Sequence, residues 1–429
     1  MDTPIKKTLR AVFGRIIRIY FRRIEVAGDV ANPATAGRLF IANHVNGLVD
    51  PILVLTTAPC AISPIGKSTL WNIPGLRWLL DAAGAVPIVR RRDAPGKSAE
   101  DNDRVFQKIS EHLGSGGNIL IFPEGTSHNE PHLVPFRTGA ARMLAKAAAE
   151  SSREITFQAV GLEFDARDTF RSSVLVLFGP VRNVREFQES GDALPAAITA
   201  RMKEDLSSLL IESTSWDERM ALFRVAEMFA NNDASTSLLD RHDLGLRATQ
   251  FRTKLAASNA GELESIVGRV NRYFSHLGVA GTTDAFVARG IAFDRFRALR
   301  GAALLLLLPI SIIGMLAYWL PYQIPRMVGR MAKGDHDVVS TYKLGAGLAV
   351  YPIWFACLAA VAFLTLPPLA ASLLSGALLV IPFAALPYVD REDSLRATLA
   401  LMQPGILEAL RAERRELMTL LEQARDRLS

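Results

Sequence analysis

Cysteine is scarce in this chain. Cys60 and Cys357 are the two cysteines in 429 residues, far apart, and Cys357 lies inside an apolar run. That supports neither a disulfide framework nor a metal cluster, so no metal is expected. Internal repeats and low-complexity tracts are missing as well. Residues 1–24 lack an unbroken apolar core, because Lys6, Lys7, Arg10, Arg15, Arg18, Arg22 and Arg23 interrupt every apolar stretch. A cleavable signal is therefore not expected there. Charge is what two later stretches lack: Gly301 to Pro325 and Leu344 to Val389 contain no Asp, Glu, Lys or Arg.

What is present is apolar and basic. Hydrophobic residues make up 49% of the chain, the formal net charge is +6, and the mean hydropathy is +0.19. Such a length exceeds one ordinary core and predicts two or three units. A basic surface beside long apolar runs points to anionic membrane lipids as partners, and not to nucleic acid. Leu9, Val12, Phe13, Ile16, Ile17, Tyr20 and Phe21 recur at spacings of three and four. Residues 1–24 thus read as a basic amphipathic helix. It either lies in a headgroup layer or packs on its own domain.

The chain is organised around residues 39–51. Leu39, Phe40 and Ile41 read as a short buried strand running into Asn43-His44. Gly47 marks a turn that lets Asp50 fold back onto the imidazole. A carboxylate on one ring nitrogen fixes the tautomer and leaves the other nitrogen as a base. Two further strand ends carry polar groups. Gly84 to Val89 reads as a β-like run ending on Arg90, Arg91 and Arg92, a cationic cluster suited to an anion. Asn118 to Phe122 is a second buried strand that runs into Pro123-Glu124-Gly125-Thr126-Ser127. The bend there is expected to leave the N–H groups of Gly125, Thr126 and Ser127 free for a ligand oxygen. Arg137, near the start of an alanine-rich helix, adds a cation beside that turn. Residues 61–92 read as helix then strand, and Ile155–Val160 and Val174–Phe178 as further strands.

Asn43-His44 with Asp50-Pro51, then Gly84 to Arg90, then Phe122 to Ser127, in that order, resemble the glycerolipid acyltransferase family, which includes glycerol-3-phosphate and lysophosphatidate acyltransferases. The resemblance spans roughly residues 25–185. The spacer between His44 and Asp50 is five residues, Val45 to Val49, where the family's usual block has four. In this it is similar to the subset related to eukaryotic glycerol-3-phosphate and dihydroxyacetone-phosphate acyltransferases. Ala159 stands where members often carry a proline after their fourth block. The resemblance implies an α/β fold, a mixed sheet covered by helices. It also implies transfer of an acyl group from acyl-CoA or acyl-carrier protein to glycerol-3-phosphate or a lysophospholipid such as 1-acylglycerol-3-phosphate.

That chemistry suits the residues. His44 takes the hydroxyl proton and Asp50 orients it. A thioester is already activated, so neither a nucleophilic serine nor a cofactor is expected. By resemblance, Arg90 and the Glu124-Gly125 turn hold the glycerol-phosphate, with Asn43, Thr126 and Ser127 beside them; Arg137 is an addition from position alone. Glu124, an anion, is assigned to a glycerol hydroxyl or to positioning an arginine, with a carboxylate bonding its own turn as the alternative. Two other readings stay open: a catalytically retired membrane protein, and a thioester hydrolase using water.

Beyond residue 185 the chain is charged and helical in pattern to about residue 300. Residues 301–390 follow as membrane-embedded segments and 391–429 as a charged helical tail with Leu407, Leu410, Leu417, Leu420 and Leu421 in one stripe. The run from Leu344 to Val389 is long enough for two spans joined at Pro367-Pro368. Basic residues flank every segment, so all flanks prefer the cytoplasm. Residues 301–325 are then expected to dip in and return near Pro309, with the catalytic domain on the cytoplasmic face.

Overall fold

The computed structural model describes residues 3–30, 37–73, 75–89, 98–233, 237–289, 295–332, 335–390 and 404–428. The chain forms two compact units, Met1–Glu212 with His336–Val338, and Ser213–Asp335 with Val339–Ser429.

The first unit is a seven-stranded mixed sheet. In chain order the strands are β1 (Arg23–Gly28), β2 (Gly37–Ala42), β3 (Ser63–Lys67), β4 (Val86–Ile88), β5 (Asn118–Ile121), β6 (Ile155–Phe164) and β7 (Ser173–Asn183). Their spatial order is β1-β7-β6-β2-β5-β3-β4. Only β6 and β7 pair antiparallel among the described strands. β2 is central, with Phe40 opposite Leu120 on β5 and Gln158 on β6. Every residue of β2 is buried, as its continuous apolar run requires in a sheet covered on both faces. Helices α4 (Ser98–Gly114) and α5 (Gly139–Glu150) supply Ile109, Leu113, Met143 and Leu144 to the core under Leu39, Ile41 and Phe157.

Residues 61–92 differ from the expected helix then strand. Strand β3 comes first, then a 3₁₀ turn (Ser68–Asn72), helix α3 (Leu76–Ala83) and β4. Ser-Pro-Ile-Gly-Lys has no strand composition; pairing with β5 and β4 makes it one.

Helix α1 (Pro4–Tyr20) is capped by Thr3, whose side chain accepts the Lys6 N–H. It packs on its own domain through Ile17, Tyr20 and the following Phe21, all buried, while Ile5 and Val12 stay exposed. Each such buried side chain contributes about 1.5–3 kcal/mol. Helix α2 (Val49–Thr57) leaves the end of β2 and carries Asp50 in its first turn. Helix α6 (Leu194–Ser207), in the stretch read as charged and helical, buries Ile198, Met202 and Leu206 against the sheet's core.

The second unit begins with α7 (Trp216–Asn232), whose Ser215 cap accepts the Glu218 N–H. It continues through α8 (Leu238–Ser258), α9 (Ala260–Ala280) and α10 (Asp284–Arg289). Then come α11 (Arg295–Ala317), α12 (Trp319–Gly329), α13 (Val339–Thr365), α14 (Pro368–Val389) and α15 (Pro404–Leu428). Leu407, Leu410, Leu417 and Leu421 of α15 share one core with Tyr273, Val270 and Met228, so the leucine stripe of the tail is buried in the helical unit.

Among the described residues two helical stretches, Val339–Thr365 and Pro368–Pro387, are long and apolar enough to cross a membrane. The pair Leu306–Ala317 and Trp319–Ala332 bends by 57°. That break falls at Tyr318, not at Pro309, which lies inside α11. Pro321 is the physical reason: it has no N–H to offer the carbonyl of Ala317 four residues earlier. The indole of Trp354 donates to that carbonyl instead, at 2.9 Å, and the Tyr318 hydroxyl donates to Leu378 O at 2.8 Å.

Candidate active site

Parallel pairing brings the ends of β2 and β5 together, with Ile41 opposite Ile121. The residues just beyond them, His44 and Phe122, therefore meet: their rings stack at 4.0 Å with 18° between planes. His44 Nδ1 lies 3.0 Å from Asp50 Oδ2. The same oxygen accepts the Asn46 N–H at 2.7 Å. The Asp50 side chain is wholly buried and that of His44 is 14% exposed. Both donors reach Oδ2, and Oδ1 is buried without a hydrogen-bond partner among the described residues; the carboxylate sits in the first turn of α2, at the positive end of the helix dipole. No described residue hydrogen-bonds to His44 Nε2, so that nitrogen is left as a proton acceptor.

The loop between them is clamped from the β6–β7 connection. Asn46 Nδ2 donates to Arg167 O at 2.8 Å, and Arg167 donates to Val45 O at 3.1 Å. Asn43, expected at the substrate, has its amide committed elsewhere. It donates to Leu162 O at 3.0 Å and accepts the Leu162 N–H at 2.8 Å. It extends the β2–β6 pairing by one side-chain rung and so orients the residue that follows it.

Glu124 is also placed differently from its assigned tasks. Its carboxylate is buried, and Oε2 accepts the His44 N–H at 2.8 Å. Oε1 faces His128 Nε2 at 3.0 Å. Gly125 adopts φ +77°, which a side chain resists. Its N–H is not free, because it donates to Phe122 O at 3.0 Å and closes the turn. Thr126 is exposed and its hydroxyl donates to the carbonyl of the partly buried Ser127. Arg137 does come to this turn: a Cβ on Gly125 would stand 2.5 Å from Arg137 Nε. Its own N–H donates to Pro123 O at 2.8 Å. Arg90, Arg91 and Arg92 lie outside the described residues. Among the described residues no cluster of His, Cys, Asp and Glu could hold a metal ion.

Phe122, Asn46, Arg167 and His128 were not singled out by sequence. Phe122 was within reach as the last residue of a strand parallel to the one before His44; the backbone partners of Asn46 and Arg167 leave no local signature.

Residues 23–162 match the family model described as acyltransferase. Glycerol-3-phosphate O-acyltransferase 2 of Saccharomyces cerevisiae is 30% identical over 116 residues, 27% of this chain and 16% of that protein. Lyso-ornithine lipid O-acyltransferase of Pseudomonas aeruginosa is 30% identical over 146 residues, 34% of this chain and 50% of that protein. Human 1-acyl-sn-glycerol-3-phosphate acyltransferase alpha is 30% identical over 144 residues, 33% of this chain and 48% of that protein. The chain thus spans half or less of these relatives' length. The crystal structure of the 1-acyl-sn-glycerophosphate acyltransferase PlsC of Thermotoga maritima is 18% identical with a TM-score of 0.33, over 47% of this chain and 79% of that one.

Proposed function

We propose that the chain is a glycerolipid acyltransferase, as the match of residues 23–162 to the acyltransferase family model supports, and that it moves a fatty acyl group from a thioester to a hydroxyl of glycerol-3-phosphate or 1-acylglycerol-3-phosphate in phospholipid synthesis. The observation that carries this reading is the 3.0 Å contact between His44 Nδ1 and a buried Asp50, with Nε2 left without a protein partner. Nε2 takes the proton as the substrate oxygen attacks the thioester carbonyl. Asp50 steadies the imidazolium. The tetrahedral intermediate expels the sulfur, which recovers the proton from His44, so an oxygen–carbon bond replaces a sulfur–carbon bond.

Arg137 is taken to meet an acceptor phosphate, a role its place beside the Gly125 turn supports. Arg90 joins it on the resemblance alone. The donor is acyl-CoA or acyl-carrier protein, and the basic flanks of the apolar segments support a catalytic unit on the cytoplasmic face, where such donors are.

The test is thiol release from palmitoyl-CoA by the detergent-solubilised chain with no acceptor, glycerol-3-phosphate or 1-acylglycerol-3-phosphate, beside His44→Ala. Release should require an acceptor and fall by about 100-fold or more in the variant. Release without acceptor overturns the transfer reading in favour of hydrolysis. Silence with every acceptor, and again with an acyl-carrier-protein donor, overturns catalysis.

A further inference from the structure

His128 follows directly on the Glu124–Ser127 turn and completes a closed clasp around the main chain of His44. The His44 N–H donates to Glu124 Oε2 at 2.8 Å. Glu124 Oε1 lies 3.0 Å from His128 Nε2. The His128 N–H returns to His44 O at 3.1 Å. His128 Nδ1 accepts the Glu130 N–H at 3.1 Å, so the proton of this ring lies on Nε2; Nε2 and Glu124 Oε1 are in close contact without hydrogen-bond alignment, and neither has another hydrogen-bond partner among the described residues. The Glu124 side chain is fully buried and that of His128 is 9% exposed.

The clasp sits where the sheet stops helping. Main-chain pairing of β2 with β5 ends at Ile41 and Ile121. Beyond that rung the β5 side holds His44 through Glu124 and His128. A carboxylate with one oxygen on an amide and the other enclosed needs a second donor. His128 Nε2 is the group in reach. Without it the carboxylate turns, the His44 amide loses its acceptor, and the imidazole shifts against Asp50 and the incoming hydroxyl.

We propose that His128 is a positioning residue for His44, acting through Glu124; this rests on the acyl-transfer reading of the same site. Substrate does not touch it, so its removal lowers kcat and leaves the KM values for donor and acceptor in place.

Three variants of the full chain in detergent separate this role from a structural one. In His128→Gln the amide nitrogen reaches roughly where Nε2 stood and keeps an N–H group beside the Glu124 carboxylate. In His128→Asn the amide stands where Nδ1 stood, holds the Glu130 turn and falls short of Glu124. His128→Leu does neither. The expected result is a kcat about threefold down for Gln and about thirtyfold down for Asn and Leu, the range for partners that orient a reacting group. Combining His128→Leu with Glu124→Gln should cost little more than Glu124→Gln alone, because both break one clasp. Thermal unfolding of each variant keeps misfolding apart from misplacement.

Rescue by Asn and not by Gln, a raised KM at constant kcat, or three variants within twofold of the wild type each overturn the inference. A wild type inert with every donor and acceptor overturns the acyl-transfer reading and this inference with it; an active wild type with indifferent variants overturns the inference alone.

Discussion

The His44 amide and the Glu124 carboxylate, eighty residues apart in sequence, are joined by a 2.8 Å hydrogen bond. Two strand-end turns are thereby locked to each other. His44 is held at three points: its ring nitrogen by Asp50, its ring face by Phe122 and its main chain by Glu124 with His128.

Asp50→Asn should lower kcat by about 10³-fold while the protein stays folded. The amide oxygen can still take the Asn46 N–H, but no negative charge remains for an imidazolium. Acceptor-dependent thiol release with circular dichroism checks this. A loss under tenfold would remove Asp50 from the mechanism.

Gly125→Ala strains a φ of +77° and puts a Cβ 2.5 Å from Arg137 Nε. The backbone penalty is about 1–2 kcal/mol. Arg137 is exposed and swings aside, so the KM for a phosphate-bearing acceptor should rise several-fold, about as expected for losing one charged contact. Steady-state kinetics against acceptor concentration reads it, and an unchanged KM would free Arg137 from that role.

In the helical unit, Asp284 is fully buried and paired with Arg414 at 2.7 Å. Tyr273 and Asn231 each donate to it at 2.8 Å. Burial, and then the Asp284 charge, hold the Tyr273 hydroxyl protonated far above the ordinary range. Arg414→Met should cost about 3–5 kcal/mol, because it strands a buried carboxylate. Adding Asp284→Asn should recover part of that. Thermal unfolding of both proteins decides it; no recovery would show that the charge is not the source of the loss.

Acid should weaken the catalytic unit through His112. Burial, and then Lys6, push its imidazole below the usual 6.5. The unfolded chain therefore binds the proton more readily, and stability is full above 6.5 and falls as pH drops below it. His112→Gln removes this contribution. Melting curves from pH 7.5 to 5.5 should fall less steeply for the variant, and parallel curves would refute it.

The basic flanks make a topological prediction. With Cys60 and Cys357 replaced by serine, Arg330→Cys should resist a membrane-impermeant thiol reagent applied from outside and react once the membrane is opened. Labelling of intact cells would place this loop on the far side and cancel the cytoplasmic assignment.

Strands β2, β5, β6 and β7 were legible because unbroken apolar runs bounded by turn residues admit few other readings. β3 was not, since Pro64 and Gly66 carry no strand preference and pairing alone recruits them. The membrane stretches were legible in extent, as charge is costly in hydrocarbon. The break was expected near Pro309 and falls at Tyr318. A helix spans Pro309, whereas at Pro321 the carbonyl set free finds the Trp354 indole.

By itself the sequence determined which residue types stand at the strand ends: a histidine with a carboxylate six positions on, a Glu-Gly turn, an arginine near the next helix, and long segments without charge. Local spacing and composition carry that information. Tertiary structure alone decided that Asn43 serves Leu162, that the Gly125 N–H closes its own turn, and that Glu124 and His128 hold the main chain of His44. The Asn43 and Glu124 bonds join a side chain to a backbone group distant in the chain, and a backbone amide is the same in every residue, so no residue type announces its partner.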